Sequence, residues 1–167
     1  YEVEGNTMYL RTLRQLQKAA AKMQNSRIVV VTQEKYAEII DAAKEIGAEV
    51  LINPQPERGI SSSMQIGLEI AKDADACLFT VSDQPWLTAE TIIALHDAFQ
   101  SENKGMACTV WGEKTGNPCI FSEKYYKELM AISGDKGGKQ IIKKHPEDVA
   151  YLKISDEREL QDVDVPL

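Results

Sequence analysis

An α/β fold is predicted for this chain, with strands and helices alternating to build a largely parallel sheet covered on both faces. Three observations predict it. Short β-branched or apolar runs recur, segments with helical spacing separate them, and no long linker, internal repeat or low-complexity stretch breaks the series. Such alternation signifies right-handed crossover units.

The elements follow in order. Residues 7–23 carry Met8, Leu13, Leu16, Ala20 and Met23 near helical spacing, and residues 28–31 are a β-branched strand. Residues 36–46 repeat the helical period and stop at Gly47, a residue suited to the left-handed position after a helix; Val50, Leu51 and Ile52 make the next strand. Residues 63–71 read as helix, 77–81 as strand, and 89–99 as helix with Thr88 available as its cap. In the second half, residues 106–111 and 118–121 look like strands flanking a polar, glycine-containing connection, so the sheet becomes mixed there. Residues 124–132 and 138–144 are helical, the latter ending before Pro146, and 149–154 alternate as a last strand.

At 167 residues the chain fits one domain of the usual ~150. A hydrophobic content of 43% with 27% charged residues is ordinary for a soluble globular protein, and no run approaches the ~20 apolar residues of a membrane span. No basic-then-apolar segment opens it, so no membrane partner and a cytoplasmic location are expected. The net charge of −7 argues against nucleic acid as partner, since phosphate backbones are held chiefly by lysine and arginine. A small phosphorylated substrate stays open, because backbone amides, one or two basic side chains and a magnesium ion suffice for it. Cys77, Cys108 and Cys119 show neither zinc nor redox spacing and read as reduced, mostly buried thiols. Trp86 and Trp111 could be core residues or could stack on a flat ligand ring, core being the commoner fate.

Five turns carry candidate chemistry. Asp83-Gln84-Pro85 ends an apolar run with a carboxylate on a proline-stiffened turn, and ligands of open parallel sheets gather at such strand ends; taken alone it is equally a turn cap. Asn53-Pro54 leaves a strand with an amide free, and Gly59-Ile60-Ser61-Ser62-Ser63 opens a helix whose unpaired amides suit a phosphate or sugar hydroxyl, or simply an N-cap serine. Lys114-Thr115-Gly116-Asn117-Pro118 reads as a loop between strands. Gly134-Asp135-Lys136-Gly137-Gly138-Lys139 is a glycine-rich basic helix entry, by itself a solvated turn as readily as a phosphate site. Asp162-Val163-Asp164-Val165-Pro166 places two aspartates on one side of an alternating segment, where they could approach a cation together.

None of these motifs is specific alone, but five in this order resemble the MobA-like nucleotidyltransferases of molybdenum cofactor maturation. The Asp83-Gln84-Pro85 form looks closer to the cytidylyltransferase branch than to the guanylyltransferase branch. The resemblance implies a Rossmann-like three-layer α/β/α sandwich of the glycosyltransferase-A type, with a mostly parallel mixed sheet. It implies transfer of CMP from CTP to molybdopterin with release of pyrophosphate, and a molybdoenzyme or its chaperone as a further partner. By the family pattern Asp83 and Asp164 hold Mg2+ and are the catalytic pair. Asn53, Gly59, Ser61, Ser62, Ser63, Gln84 and Pro85 contact the nucleotide. Gly116, Asn117, Asp135 and Lys136 face the acceptor, with Lys139 as an alternative phosphate contact. Many relatives carry His at the place of Asn117 and Arg near Lys139.

Family members begin with a strand and a glycine-rich basic loop that wraps the triphosphate. Here Tyr1-Glu2-Val3-Glu4-Gly5-Asn6 stands just past where such a loop ends. Residues 1–167 are therefore read as one NTP-transferase domain whose first strand and loop lie outside them. A sheet truly lacking a central strand would expose unpaired backbone. As it stands the polypeptide is expected to bind CTP poorly. The alternatives are a guanylyltransferase or another sugar-phosphate or phospholactate nucleotidyltransferase on the same scaffold, and a non-catalytic relative that binds the cofactor.

Overall fold

The computed structural model describes residues 2–164. A short hairpin, β1 (Glu2–Val3) and β2 (Asn6–Thr7), turns through Glu4 and Gly5, both at positive φ, the backbone a two-residue hairpin turn requires. The series continues as α1 (Met8–Ala20), β3 (Val29–Thr32), α2 (Ala37–Glu45), β4 (Glu49–Ile52), α3 (Ile60–Ala71), β5 (Ala76–Phe79) and α4 (Ala89–Ser101). It closes with β6 (Met106–Trp111), β7 (Lys114–Ser122), α5 (Tyr126–Met130), α6 (Lys139–Lys144) and β8 (Val149–Lys153).

The period-two alternation of the strands builds three layers. Cys77 and Phe79 of β5, Met106 and Cys108 of β6, and Cys119 and Phe121 of β7 point to one face, where Leu68 of α3, Leu129 of α5 and Ile141 and Ile142 of α6 meet them. Leu78, Ala107, Ile120 and Ala150 point the other way, onto Leu95 and Phe99 of α4. Leu16 and Ala19 of α1 pack beside α4 through Leu87 and Ile92. The sheet is mixed: β7 runs antiparallel to β5 and β6, while β6 and β8 are parallel.

The sheet is also interrupted. Among the described residues β3 pairs in parallel with β4 alone and β5 pairs only with β7, so each of β3 and β5 keeps one edge without a strand partner. α3 bridges the break on one face, since Gly67 lies against Val31 of β3 while Leu68 and Met64 pack with Cys77 and Phe79 of β5. On the other face α1 touches α2 and reaches Leu78 of β5. All four residues of β3 and of β5 are half-buried, although both strands lie between helix layers.

Three boundaries differ from expectation, and each moves a candidate residue. β5 stops at Phe79, so Asp83 sits four residues beyond the strand in a turn and not at its tip. α3 begins at Ile60, which puts the three serines inside its first turn, because Gly59 rather than a serine is the cap. β7 begins at Lys114, so Gly116 and Asn117 are strand residues; Gly112, at positive φ, and Glu113 make the whole connection. Trp111 is 40% exposed and lies outside the core.

Buried Cys108 and Cys119 face each other across β6 and β7 as free thiols. Burial pushes them up to about 11 and about 12, so they stay protonated and unreactive at neutral pH.

At the end where β6 and β8 begin, Asp148 ties the sheet together. Its carboxylate accepts from Tyr125 Oη (2.6 Å), Lys124 Nζ (2.9 Å) and Gly105 N (2.9 Å), which hold it well below the usual carboxylate range. Asp148, Lys124 and Gly105 line a cavity of about 410 Å3, at the opposite end of the sheet from Asp83. Because the folded pKa is depressed, the stabilisation is present above the ordinary carboxylate range and is lost as pH falls through the folded value. Asp148→Asn is expected to cost about 1–3 kcal/mol at neutral pH, and the deficit should shrink in strong acid, as thermal melts across pH would read.

Candidate functional site

The turn after β5 is built by residues from both ends of the chain. Arg11 of α1 donates to Pro85 O (2.9 Å) and pairs with Glu4 of the hairpin. Val163 N donates to Asp83 O (2.8 Å), and Gln84 Nε2 donates to Asp162 Oδ1 (2.7 Å). Gln84, 2% exposed, thereby fixes a carboxylate 78 residues away. The same turn holds a concentration of unpartnered buried polar atoms among the described residues: Thr80 Oγ1, Asp83 Oδ1, Gln84 Oε1 and Trp86 Nε1. Unmet buried groups of this density mark either strain or a place made for something else.

Burial raises the Asp83 carboxyl above its ordinary value, and the charge of Asp162 and then that of Asp164 add to the rise. Both terminal aspartates thus act on Asp83, as their alternation suggests. Val165 and Pro166 of that motif lie outside the described residues.

The amide expected to be free at Asn53 is not free. Asn53 is 3% exposed; its Nδ2 donates to Ser62 Oγ and Ser63 Oγ (both 2.9 Å) and its Oδ1 accepts from Gln55 N (2.9 Å). Ser62 Oγ in turn donates to Gly59 O (2.8 Å). The motif therefore braces the strand-to-helix turn, the natural outcome for polar groups that lose water on folding. Asn53, Arg58, Ser62, Gln65 and Met130 line a cavity of about 280 Å3 beside it.

Two turns distant in sequence meet at the start of α3. Ser61 N donates to Gly134 O (3.2 Å), and a Cβ on Gly59 would lie 2.5 Å from Gly134 C and 2.6 Å from Asp135 Oδ1. One helix-start amide is thereby occupied by the neighbouring loop. Asp135 and Lys136 stand exposed beside it, and Lys139 lies in the first turn of α6, where its charge offsets only part of the rise that burial gives both thiols. Gly116, expected to face an acceptor, forms a notch for Leu160, whose Cδ2 would stand 2.5 Å from a Cβ there. Asn117 O accepts from Thr109 Oγ1 (3.0 Å) across the β6–β7 bulge.

By strand direction, Asn53, the start of α3, the Asp83 turn and the start of β7 share one end of the sheet. Sequence reasoning missed Arg11, the Gln84–Asp162 contact and Glu159. Glu159 is a buried carboxylate in an otherwise exposed acidic stretch, and no spacing signals it.

The mixed sheet between helix layers is that of the Rossmann-like NTP transferase fold, the fold of a class of nucleotidyltransferases. Residues 1–149 match the MobA-like NTP transferase domain, and the chain belongs to that family. A nucleotidyl transferase from Methanothermobacter is similar in structure at a TM-score of 0.76 and 19% identity, over 97% of this chain and 76% of that one. The molybdopterin-guanine dinucleotide biosynthesis protein A of Archaeoglobus fulgidus aligns at 0.66 and 12% identity, over 99% and 83%. Among curated proteins, the bifunctional IPC transferase and DIPP synthase of Thermococcus kodakarensis is 34% identical over 84 residues, 48% of this chain and 18% of the relative. The match thus takes in under a fifth of that relative's length. Among the described residues no helix is long and apolar enough to cross a membrane.

Proposed function

We propose that this chain transfers CMP from CTP to molybdopterin with release of pyrophosphate, using Mg2+. The observation that carries the reading is Asp83, a half-buried carboxylate with an unpartnered oxygen, acted on by Asp162 and Asp164. Carboxylates held together against their own repulsion are relieved by a divalent cation. No three His, Cys, Asp or Glu among the described residues form a complete cage. Magnesium is commonly held by one or two carboxylates, with substrate phosphates supplying the remaining oxygens. Asp83 and Asp164 would hold it, and bound there it supplies charge neutralisation for the departing pyrophosphate.

In the reaction an acceptor phosphate oxygen bonds to the α-phosphorus while the α–β bridging bond breaks, its electron pair leaving with pyrophosphate. Positioning and charge neutralisation are the main demands. The braced turn of Asn53, Ser62 and Ser63 gives the nucleotide a rigid wall, and Lys136 beside the start of α3 offers a positive charge to phosphate. We further read the break between β3 and β5 as the place of one more parallel strand, which would deliver a triphosphate loop to Asp83. Its support is the pair of unpaired edges under two helix layers.

CTP is favoured by the Asp83-Gln84-Pro85 form, which looks closer to the cytidylyltransferase branch. The name of the Archaeoglobus relative keeps GTP as the competing nucleotide, and that of the Thermococcus relative keeps a different acceptor as the second reading. The test is incubation of the protein, with any upstream segment of its reading frame, with molybdopterin, Mg2+ and each NTP in turn. Pyrophosphate with CTP alone is expected. Release with GTP alone moves the chain to the guanylyl branch, and absence of release with every nucleotide overturns the reading.

A further inference from the structure

Glu159 is 5% exposed and is the one charged residue among the buried ones described. Its Oε2 accepts from both Thr88 N and Thr88 Oγ1, each at 3.2 Å, and Thr88 is the cap of α4. The next amide of that helix, Ala89 N, is taken by Gln15 of α1 (2.9 Å). A carboxylate tolerates burial only when hydrogen-bonded, and the positive end of a helix is a favourable place for it. Leu160, 2% exposed, fills the notch at Gly116, and Lys114 Nζ donates to Leu160 O (3.1 Å). Adjacent residues thus fasten the turn Glu157–Leu160 to α4 and to β7 at once.

Immediately beyond this fastening Asp162 meets Gln84 and Val163 N meets Asp83 O. At no more than ~3.6 Å per residue, the two or three residues between leave little slack. We propose that Glu159 and Leu160 form a latch that sets where Asp162 and Asp164 stand relative to Asp83, making Glu159 a positioning residue for the cation site. The inference rests on the reading of that site given above. A glutamate that only capped α4 would stabilise the helix without affecting the aspartates, and this difference is measurable.

The test compares Glu159→Ala, Leu160→Ala and the conservative Glu159→Gln, which keeps an acceptor oxygen of equal reach. Mn2+ binding by titration calorimetry and hydrogen exchange at Val163 N are read on each, with exchange in the core of α4 as the folding control. Glu159→Ala and Leu160→Ala should weaken Mn2+ binding by roughly 10-fold and strip protection from Val163 N while α4 stays protected, and Glu159→Gln should restore both. A lower melting temperature with wild-type Mn2+ affinity and Val163 protection would overturn the latch. Should Asp83→Asn bind Mn2+ as tightly as wild type, the cation reading fails instead, and Val163 exchange still decides whether the latch holds the segment. If Glu159→Ala does not fold, Leu160→Ala provides the same two readouts.

Discussion

Asp83→Asn is expected to lower nucleotidyl transfer by at least 10²–10³-fold, on the order lost when one charge-stabilising group is removed from a transition state, and to leave the fold intact. Among the described residues its side chain makes no ion pair and no hydrogen bond to another side chain; the contact with Val163 is through the backbone and survives the change. Stability should even rise at neutral pH. The folded carboxyl is raised by burial, Asp162 and Asp164, so the folded state binds its proton more readily than the unfolded chain does. Its contribution is favourable below the ordinary carboxylate value of 3.8 and is lost as pH climbs through the higher folded value. The variant should therefore melt above wild type at pH 7, with the gap closing as the pH drops toward that range. Pyrophosphate release and calorimetric melts check the two halves independently, and near-normal turnover would remove Asp83 from the reaction.

Gly59→Ala should be the most destabilising single methyl in the chain's functional end. The residue sits at φ 87 and ψ 178, a region open essentially to glycine, and the strain alone is worth about 1–3 kcal/mol. The added carbon would also stand 2.5 Å from the backbone of Gly134, which must move away and release Ser61 N from Gly134 O. At about 2–4 °C per kcal/mol for a domain of this size, a fall of several degrees in melting temperature is expected. Gly134→Ala, with open space around its Cβ position, should feel only the strain of its own positive φ. An equal loss in both variants would show that backbone strain, and not the contact between the two loops, dominates.

Much of the fold is legible in the residues themselves. The spacing of Met8, Leu13 and Leu16, the β-branched run before Thr32, and Thr88 ahead of α4 each act over a turn or two of chain, so the elements appear where local periodicity puts them. Boundaries shift where a local rule is overridden: Gly59 displaces the serines as cap because Gly134 needs a residue without a Cβ there, and β7 extends back to Lys114 because β6 supplies its ladder. The candidate site was partly legible. Asp83 and the terminal aspartates could be picked out as carboxylates beside turns, whereas the engagement of Asn53 by two serines depends on a strand and a helix being brought together.

By itself the sequence determined the alternation of strands and helices, the thiols left unpaired and the carboxylates available for chemistry, because these follow from side-chain period and residue type over short spans. Only the tertiary structure decided that Gln84 grips Asp162, that Leu160 seats on Gly116, that Gly59 meets Gly134, and that the sheet opens between β3 and β5. Those outcomes join residues far apart in the chain. They are set by which surfaces pack together, a quantity that no local pattern carries.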